Sequence, residues 1–397
     1  MARSSPPTVD ATRLTDLIAD LVRIPSVNPM LVRGGAGEGA IAAHLADVCR
    51  RLGMTVTVED AAPGRPNVVA VLPGSDPAGG RRLLLNGHMD TVGLAGMQAP
   101  FTPEIRAARL YGRGAFDMKA SLAAMVAAVA AFRSTGRTLL GDIVLTFVSD
   151  EEHLSVGTAA IAGRVSADAA IVTEPTGLAI CVAHKGFLWA TIRTEGRAAH
   201  GSNYGVGVDA IARMGRVLAR LELLERDVLP RRTHPLLGRP SLHASLIQGG
   251  EGLSTYPPSC ELALERRTLP NETDDAVRAE LQGILDSLRE RDSTFQASLR
   301  VCGARPGLEA DRGVGVVPAL HRACVTVRGE EPAYTGAAFW TDAALLAGAG
   351  VPTVLFGPAG DGAHADVEYV DLPSAVACAQ VLVNTIDEFC GSERASA

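Results

Sequence analysis

Strand-like and helix-like segments alternate along the first half of the chain. The apolar runs of strand length are 54–59, 67–73, 81–88, 142–149 and 169–174. The segments with apolar side chains at helical spacing are 10–23, 37–53, about 117–132, and one that begins near Thr158. Strands that alternate with helices in this way predict an α/β fold, in which helices flank both faces of a sheet.

The pattern changes after about residue 184. A strand-like run at 183–196 is followed by a helix at 208–224, two strand-like runs, a helix at 273–290 and a last strand-like run. This is the split βαβ order of a ferredoxin-like α+β unit. The α/β pattern then resumes and ends in a helix at 373–390. We therefore predict two domains, a discontinuous larger one of residues 1–184 and 305–397 and an inserted one of residues 185–304.

Composition and charge exclude several classes of protein. The formal net charge is −7 and the chain has no basic run, which argues against a nucleic-acid partner. The start of the sequence does not resemble a signal peptide, and the longest apolar run, 120–132, is too short to span a bilayer. Seven cysteines without a CxxC pair favour a reduced, cytoplasmic protein. The shortness of the apolar run argues against a membrane partner. Aromatic residues make up only 4% of the chain, which argues against an aromatic-rich binding surface.

Histidines and carboxylates follow the strand-like runs of the larger domain. Ligands of open α/β sheets bind beyond the carboxyl ends of the strands, so these positions are candidates for a site. Each residue alone also has an ordinary interpretation, such as a hydrogen-bonded histidine, a helix cap or a solvated turn. The residues in question are His88, Asp90, Asp117, Asp150, Glu151, Glu152, Glu174 and His364.

Two histidines and three carboxylates form a ligand set that suits zinc or a similar divalent ion. One ion that keeps a position open for water does not need five ligands, whereas two ions that share one carboxylate would use all of them. A dicationic site would also make the adjacent acids at 150–152 favourable. Since neighbours on an extended segment point in opposite directions, we predict that Glu152 binds metal, Glu151 acts as general base and Asp150 turns towards solvent.

Several motifs together resemble the dinuclear zinc aminoacylase and carboxypeptidase family, which includes acetylornithine deacetylase and succinyl-diaminopimelate desuccinylase. They are, in order, GHMDTV, GRGAFDMKA, SDEE, TEP, GRAAHGS and GAHADVEYV. The resemblance runs from LVRIPSVNP to HADVEYVDLP. It implies a zinc-exopeptidase-like catalytic domain, with a mixed sheet flanked by helices, and an inserted lid and dimerisation domain.

The resemblance also implies a role for each candidate ligand. His88 and Glu174 would bind one zinc ion, Asp117 would bridge both ions, and Glu152 and His364 would hold the second. Cobalt or manganese could replace zinc in such a site.

Three further features follow from the resemblance around these ligands. Glu151 would be the general base, and Asp90 would orient the imidazole of His88. The peptide bond between Asp117 and Met118 is expected to be cis.

Substrate-binding residues are implied in the inserted domain and beside it. His200 matches a histidine that reaches the active site of the partner subunit, so a homodimer through the inserted domain is expected. Arg267 matches an arginine that holds a substrate carboxylate, while Gly336 and Asp342 match a loop on the substrate side.

The chain departs from the family at four of these positions. Glu265 replaces an aspartate, and Ser254 replaces an asparagine in the expected oxyanion contact. Phe339 and Trp340 replace small residues, which predicts an altered acyl or side-chain pocket.

The leading functional hypothesis is hydrolysis of the amide bond in a small N-acyl amino acid by two Zn²⁺ ions. A dipeptidase or carboxypeptidase that uses the same centre is the alternative. A catalytically silent scaffold would lack a ligand or the base, and none is missing here. A dinucleotide enzyme is disfavoured because GRGAFD lacks the third glycine of the fingerprint, and no Walker sequence occurs.

Overall fold

The computed structural model describes residues 7–76 and 78–393. Its contacts divide the chain into two compact units. The first comprises Met1–Val182, Ala310–Thr335 and Thr341–Ala397, and the second comprises Ala183–Glu309 and Gly336–Trp340. The second unit thus includes a short segment, Gly336–Trp340, that lies outside the predicted insertion of 185–304. The role of this unit as a lid and dimerisation domain stays a prediction.

The helices of the described residues are α1 (Ala11–Arg23), α2 (Gly39–Arg51), α3 (Ala120–Arg133), α4 (Val156–Ile161), α5 (Ala210–Leu223), α6 (Asp274–Arg291), α7 (Val317–Arg328), α8 (Ala343–Gly348) and α9 (Leu372–Phe389). The strands are β1 (Thr55–Ala62), β2 (Arg65–Leu72), β3 (Leu83–His88), β4 (Glu104–Arg106), β5 (Arg109–Tyr111), β6 (Thr138–Leu139), β7 (Ile143–Val148), β8 (Ala169–Val172), β9 (Ile180–His184), β10 (Gly186–Glu195), β11 (Ser241–Gly249), β12 (Ser259–Thr268), β13 (Ala297–Arg305), β14 (Leu308–Glu309), β15 (Tyr334–Ala337), β16 (Thr353–Leu355), β17 (Gly360–Asp361), β18 (Tyr369–Asp371) and β19 (Ser392–Glu393).

The first unit is built on a mixed sheet with the strand order β1-β2-β7-β3-β8-β16-β9. Its central strands β7, β3, β8 and β16 are parallel, whereas β1, β2 and β9 pair antiparallel. Helices contact the sheet along its width, with α2 on β1 and β2, α3 on β3 and β7, and α8 on β8 and β16. The parallel strands are buried along their whole length, so their apolar residues, such as Leu83–Leu85 and Ala169–Val172, follow one another rather than alternate with polar ones. The predicted mixed α/β fold is confirmed.

The Ala-rich helix α3 lies in the core of this unit. Eleven of its side chains are buried, and its small residues let it pack closely on α9 and α1. Among the described residues, the segment Ala115–Arg133 is long and apolar enough to cross a membrane, but 78% of it is buried inside the protein. That degree of burial is typical of a core helix.

The predicted start of this helix at Asp117 was wrong. Regular helix begins at Ala120, because Asp117 (φ −115°, ψ 92°) and Met118 (φ −136°, ψ 34°) adopt non-helical dihedral angles. The bond between these two residues is cis, as predicted.

The second unit has the predicted order of strand, helix, strand, strand, helix, strand. Its antiparallel sheet runs β11-β12-β10-β13. Alternate residues of β10 and β12, such as Leu188, Ile192 and Leu262, pack with α5 and α6 in one core. Among the described residues, α5 and α6 pack on the same face of this sheet.

Candidate metal centre

Three neighbouring parallel strands end at one edge of the sheet and place polar residues there. His88 is the last residue of β3 and lies opposite Val148, the last residue of β7. Asp150, Glu151 and Glu152 follow β7, while Glu174 follows β8 on the other side of β3. Adjacent parallel strands therefore bring together side chains that are far apart in sequence, as predicted.

Asp117 comes to the same edge from the irregular turn before α3. Its Oδ1 lies 3.1 Å from Nε2 of His88, and its Oδ2 lies 3.4 Å from Nε2 of His364. Nε2 of His364 is also 3.1 Å from Oε2 of Glu152. Each oxygen of Asp117 thus faces a different histidine, which is the arrangement that a bridging carboxylate requires.

The side chains form two groups that could each hold a metal ion. One group contains His88, Glu151 and Glu174, and the other contains His88, Asp117 and Glu152. Within each group the potential ligand atoms lie within 4.8 Å of one another. The adjacent acids Glu151 and Glu152 therefore belong to different groups. They lie on a turn, whereas the prediction placed them on an extended segment.

The carboxyl groups of this cluster oppose one another's ionisation. Burial and the charge of Glu174 raise the pKa of Glu151 well above its usual range. Burial raises the pKa of Glu174 to about 8, with His88 opposing the shift and Asp117 adding to it. Burial also raises the pKa of Glu152. Crowded, buried acids of this kind would be neutralised by divalent cations, so the donor set fits such ions.

The two histidines and Asp117, in contrast, have pKa values shifted in favour of their charged forms. Burial disfavours the charged form of Asp117, but hydrogen bonds from His364 and His88 outweigh it and hold the pKa of Asp117 well below its usual range. The hydrogen bonds of His364 to Asp117 and Glu152 raise the pKa of His364 to about 10. These rings are therefore aimed at carboxylates between which a cation could sit.

Glu368 fixes the loop that carries Asp117, and the sequence reasoning missed it. Its carboxylate accepts hydrogen bonds from the backbone N–H groups of Gly114 (2.9 Å), Phe116 (2.9 Å) and Asp117 (3.0 Å). Arg113 donates to the same carboxylate at 2.7 Å, and both side chains are almost fully buried. The sequence did contain an indication of this pair, because Arg113 lies in the motif GRGAFDMKA and Glu368 lies in the motif GAHADVEYV.

The prediction that Asp150 turns towards solvent was wrong. Asp150 is 1% exposed and adopts a left-handed backbone conformation with φ of 69°. Its Oδ1 forms an ion pair with Nη1 of Arg65 (2.9 Å) and accepts a hydrogen bond from Nδ2 of Asn28 (3.0 Å). Arg65 in turn holds the fully buried Glu38 through Nε and Nη2, at 2.8 and 2.5 Å. The first acid of the run is therefore buried and paired with an arginine.

Asp90 contacts His88 through its main-chain carbonyl oxygen, and its carboxylate contacts other groups. Nδ1 of His88 lies 2.9 Å from the main-chain carbonyl oxygen of Asp90 and 3.8 Å from its carboxylate. The carboxylate instead accepts hydrogen bonds from the backbone N–H groups of Glu151 (3.1 Å) and Glu152 (3.2 Å) and from Nδ2 of Asn28 (2.8 Å). Since three donors already occupy it, the carboxylate positions the two glutamates, and the carbonyl oxygen positions the histidine.

We expect Arg65→Met to lower the free energy of unfolding by about 3–5 kcal/mol, because it would leave two buried carboxylates without a cationic partner. Urea denaturation would measure the change. Arg164→Met is the matched control, since the ion pair of Arg164 with Glu59 is exposed (66% and 54%) and should contribute at most about 1 kcal/mol. Equal effects of the two substitutions would contradict the inferred role of the buried network.

In the second unit, the structure brings His200 and Ser254 together. Gly201 donates a backbone hydrogen bond to the carbonyl oxygen of Ser254 at 2.7 Å, and His200 pairs with Thr255. The side chains of His200 and Ser254 are both exposed. Nδ1 of His200 lies 2.8 Å from the hydroxyl of Ser202.

The remaining predicted substrate residues differ in their surroundings. Arg267 donates through Nε to Glu265, and its side chain stays 32% exposed. Gly336 packs so closely on Leu237 that a Cβ there would lie 2.6 Å from Cδ2 of the leucine. Asp342, in contrast, is 1% exposed in the first unit and accepts a hydrogen bond of 2.6 Å from Thr158. The charge of Asp342 adds to the rise in the pKa of both Glu151 and Glu174, so this side chain lies near the acids of the cluster.

Known proteins resemble this chain over most of its length. The family model of peptidase family M20/M25/M40 matches residues 84–388. An acetylornithine deacetylase of Myxococcus xanthus is 32% identical over 344 residues, which cover 84% of this chain and 87% of that protein. An N-formyl-4-amino-5-aminomethyl-2-methylpyrimidine deformylase of Bacillus subtilis is 29% identical over 385 residues, which cover 89% and 90%.

Solved structures have the same fold. An aminopeptidase PepT from Bacillus cereus matches with a TM-score of 0.80 at 22% identity, over 96% of this chain and 99% of that one. A dinuclear metal-binding peptidase of the M20 family from Bacillus subtilis matches with a TM-score of 0.74 at 16% identity, over 96% and 98%. The predicted family resemblance and the predicted class of enzyme, a hydrolase of amide bonds, are thus confirmed, and the chain belongs to peptidase family M20/M25/M40.

Proposed function

We propose that this protein removes an acyl group, such as acetyl or succinyl, from a small N-acyl amino acid. The observation that carries the proposal is that two adjacent acids belong to two different ligand groups. Glu151 lies with His88 and Glu174, whereas Glu152 lies beside His364. Such a division supplies a base and a ligand from one turn. The names of two relatives, an acetylornithine deacetylase and a formyl-pyrimidine deformylase, describe removal of an acyl group from nitrogen.

We assign the metal sites as two Zn²⁺ ions, which Co²⁺ or Mn²⁺ could replace. His88 and Glu174 would hold one ion, Glu152 and His364 the other, and Asp117 would bridge them, which fits its two separately directed oxygens. When bound, the ions would supply Lewis-acid chemistry that lowers the pKa of water and polarises an acyl carbonyl group.

Glu151 is the proposed general base. It would accept a proton from water as the new carbon–oxygen bond forms, and return it to the amine nitrogen as the carbon–nitrogen bond breaks. The hydrogen bond from its backbone N–H to Asp90 and the buried pair of Asp150 with Arg65 hold the turn on which it lies. A fixed base needs no reorganisation at the moment of proton transfer.

The second unit would supply the contacts to the rest of the substrate. We assign to His200 a hydrogen bond to the oxyanion, and to the neighbouring Ser254 a weaker contact of the same kind. Arg267 would bind the carboxylate of the amino-acid half through its partly exposed guanidinium.

We further propose a homodimer through this unit. Strand β11 lies at the edge of its sheet and is exposed at most positions, including the apolar Leu246 (74%) and Ile247 (56%). An exposed, apolar edge strand is a site at which a second chain can pair.

We expect exhaustive chelation to abolish activity, and added zinc or cobalt to restore it. Removal of the ions should also lower the midpoint of thermal unfolding, because ions at about 100 times their Kd stabilise a protein by about 2.7 kcal/mol. Elemental analysis of the active protein and thermal scans would test both points. Full activity in protein that contains no divalent ion would contradict the assignment.

A substrate panel tests the proposed reaction against its alternative. Acetyl-, formyl- and succinyl-amino acids would be assayed beside unblocked dipeptides that contain the same amino acids. Preferred turnover of the acylated compounds supports the deacylase. Preferred turnover of the dipeptides would instead assign a dipeptidase or carboxypeptidase that uses the same centre.

A further inference from the structure

Both tryptophans of the chain lie in one aromatic cluster of the second unit. This cluster consists of His184, Phe187, Trp189 and Trp340. The ring centroids of Phe187 and Trp189 are 4.6 Å apart, and Trp340 meets Phe187 edge-on at 6.1 Å and His184 at 6.3 Å. In a chain with only 4% aromatic residues, this concentration sets the region apart.

The aromatic cluster is positioned on the sheet face that the helices of the unit leave uncovered. Leu188 and Ala190 of β10 belong to the core with α5 and α6, so Phe187 and Trp189 point to the opposite face. Trp189 remains 38% exposed. Trp340 is held in place by a hydrogen bond of 3.1 Å from its Nε1 to the carbonyl oxygen of Pro306. The cluster is therefore both accessible and fixed in orientation.

Arg267, the proposed carboxylate ligand, is part of the same surface. It lies directly opposite Phe187 in the β10–β12 ladder, and its guanidinium is 5.6 Å from the centre of that ring. Glu265 accepts hydrogen bonds from Nε of Arg267 and from Nε1 of Trp189, the latter at 2.8 Å. This acid thus couples the arginine to the tryptophan and fixes both.

Positive charges outnumber negative ones around the aromatic cluster, because the carboxylate of Glu265 is already held by Arg267 and Trp189. The guanidinium of Arg305 lies 5.9 Å from the centre of Trp340, and Arg267 lies on Phe187. Lys185 lies two residues before Phe187 and donates to the carbonyl oxygen of Arg239 at 2.6 Å. The positive charges of these arginines repel an ammonium side chain, whereas the aromatic faces accept a flat, neutral ring.

We propose that the amino-acid half of the substrate is aromatic, with its carboxylate on Arg267 and its ring packed on Trp189 and Trp340. This inference rests on the proposed function of Arg267 and narrows the substrate to N-acyl aromatic amino acids. It excludes basic amino acids such as ornithine as the preferred product.

The two tryptophans make the proposal measurable without turnover. Excitation at the red edge of tryptophan absorption reports on the aromatic cluster alone, since the chain has no third tryptophan. The probes are 3-phenylpropanoate and 4-methylpentanoate, which contain a carboxylate but no amide bond, added to the full-length, metal-loaded protein. We expect saturable quenching by 3-phenylpropanoate, at least about tenfold tighter than by the aliphatic acid. Equal affinities for the two acids would overturn the proposal.

Variants locate the binding site. Trp340→Leu should weaken binding of 3-phenylpropanoate by about 2–12-fold, the range of one aromatic pair, and leave binding of 4-methylpentanoate less affected. Arg267→Gln should weaken both acids. Tyr204→Ala removes an aromatic residue of the same unit that is 86% exposed and should change neither. If Trp340→Leu and Tyr204→Ala had the same effect, the ring would not bind at the cluster.

Hydrolysis of N-acetyl-phenylalanine and N-acetyl-leucine separates this inference from the proposed function. Equal turnover of the two, together with equal binding of the two acids, would overturn the aromatic preference and leave the deacylase in place. If neither compound were hydrolysed while 3-phenylpropanoate still bound selectively, the deacylase of acyl amino acids would fail and the ring-binding surface would stand.

Discussion

Glu151→Gln is expected to reduce turnover by about 10²–10⁴-fold while the protein keeps both metal ions. The substitution preserves the size of the side chain and its hydrogen-bonding reach, but an amide cannot accept the proton of the attacking water. The backbone N–H of residue 151 would still donate to Asp90, so the turn should be retained. Steady-state kinetics and elemental analysis of the same preparation would measure the two effects.

Glu152→Gln is the matched control because it changes the next residue in the same way. Glu152 lies 3.1 Å from His364, so this variant should lose affinity for one ion. The geometry also permits a rival assignment, since Glu151 offers an oxygen within 4.8 Å of His88 and Glu174. Loss of an ion in Glu151→Gln, with both ions kept in Glu152→Gln, would reverse the assignment within the pair.

The strand-end positions of His88, Glu151, Glu152 and Glu174 were predictable from local patterns. Each follows a continuous apolar run, and parallel strands of a sheet end at a common edge. The order of elements in the second unit was predictable for a similar reason, because alternation along each strand and helical spacing are local properties. Local patterns do not show which strands are neighbours, and for the metal ligands the family resemblance supplied that.

The partners of Asp150 were not predictable from local patterns. It contacts Asn28, which lies 122 residues away in the chain, and Arg65, which lies on strand β2. Before the fold is known, a carboxylate next to two others is expected to be exposed to solvent. Burial reverses that expectation, because a charge without water needs an ionic partner. Glu368 was missed for the same reason, since its donors lie 251–255 residues away in the chain.

The aromatic cluster reverses a conclusion drawn from composition. A content of 4% argued against an aromatic-rich binding surface, but an average over the chain does not report where the residues meet. Trp189 and Trp340 are far apart in sequence, and the fold brings both to Phe187. Composition therefore limits the number of such surfaces, not their presence.

His200→Ala is expected to lower turnover by about 10²–10³-fold, the usual effect of removing one donor to an oxyanion. We expect this histidine to act in the active site of the partner subunit. In the structure it is an exposed residue of the second unit, on a loop beside Ser254, and its Nδ1 lies 2.8 Å from the hydroxyl and 3.3 Å from the backbone nitrogen of Ser202. A catalytic histidine on an exposed loop of the proposed dimerisation unit is suited to such a role, and it would make the dimer necessary for catalysis.

Mixed dimers of two inactive variants would test this assignment. His200→Ala and Glu151→Ala would be made separately and then co-expressed with different tags, so that mixed dimers can be isolated and confirmed. If His200 acts across the interface, the site with intact Glu151 receives an intact histidine from its neighbour, while the companion site lacks both groups. Random pairing in a symmetric dimer should then restore roughly a quarter of all sites. If His200 serves its own subunit, every site lacks one group, and confirmed mixed dimers without recovered activity would return this histidine to a local role.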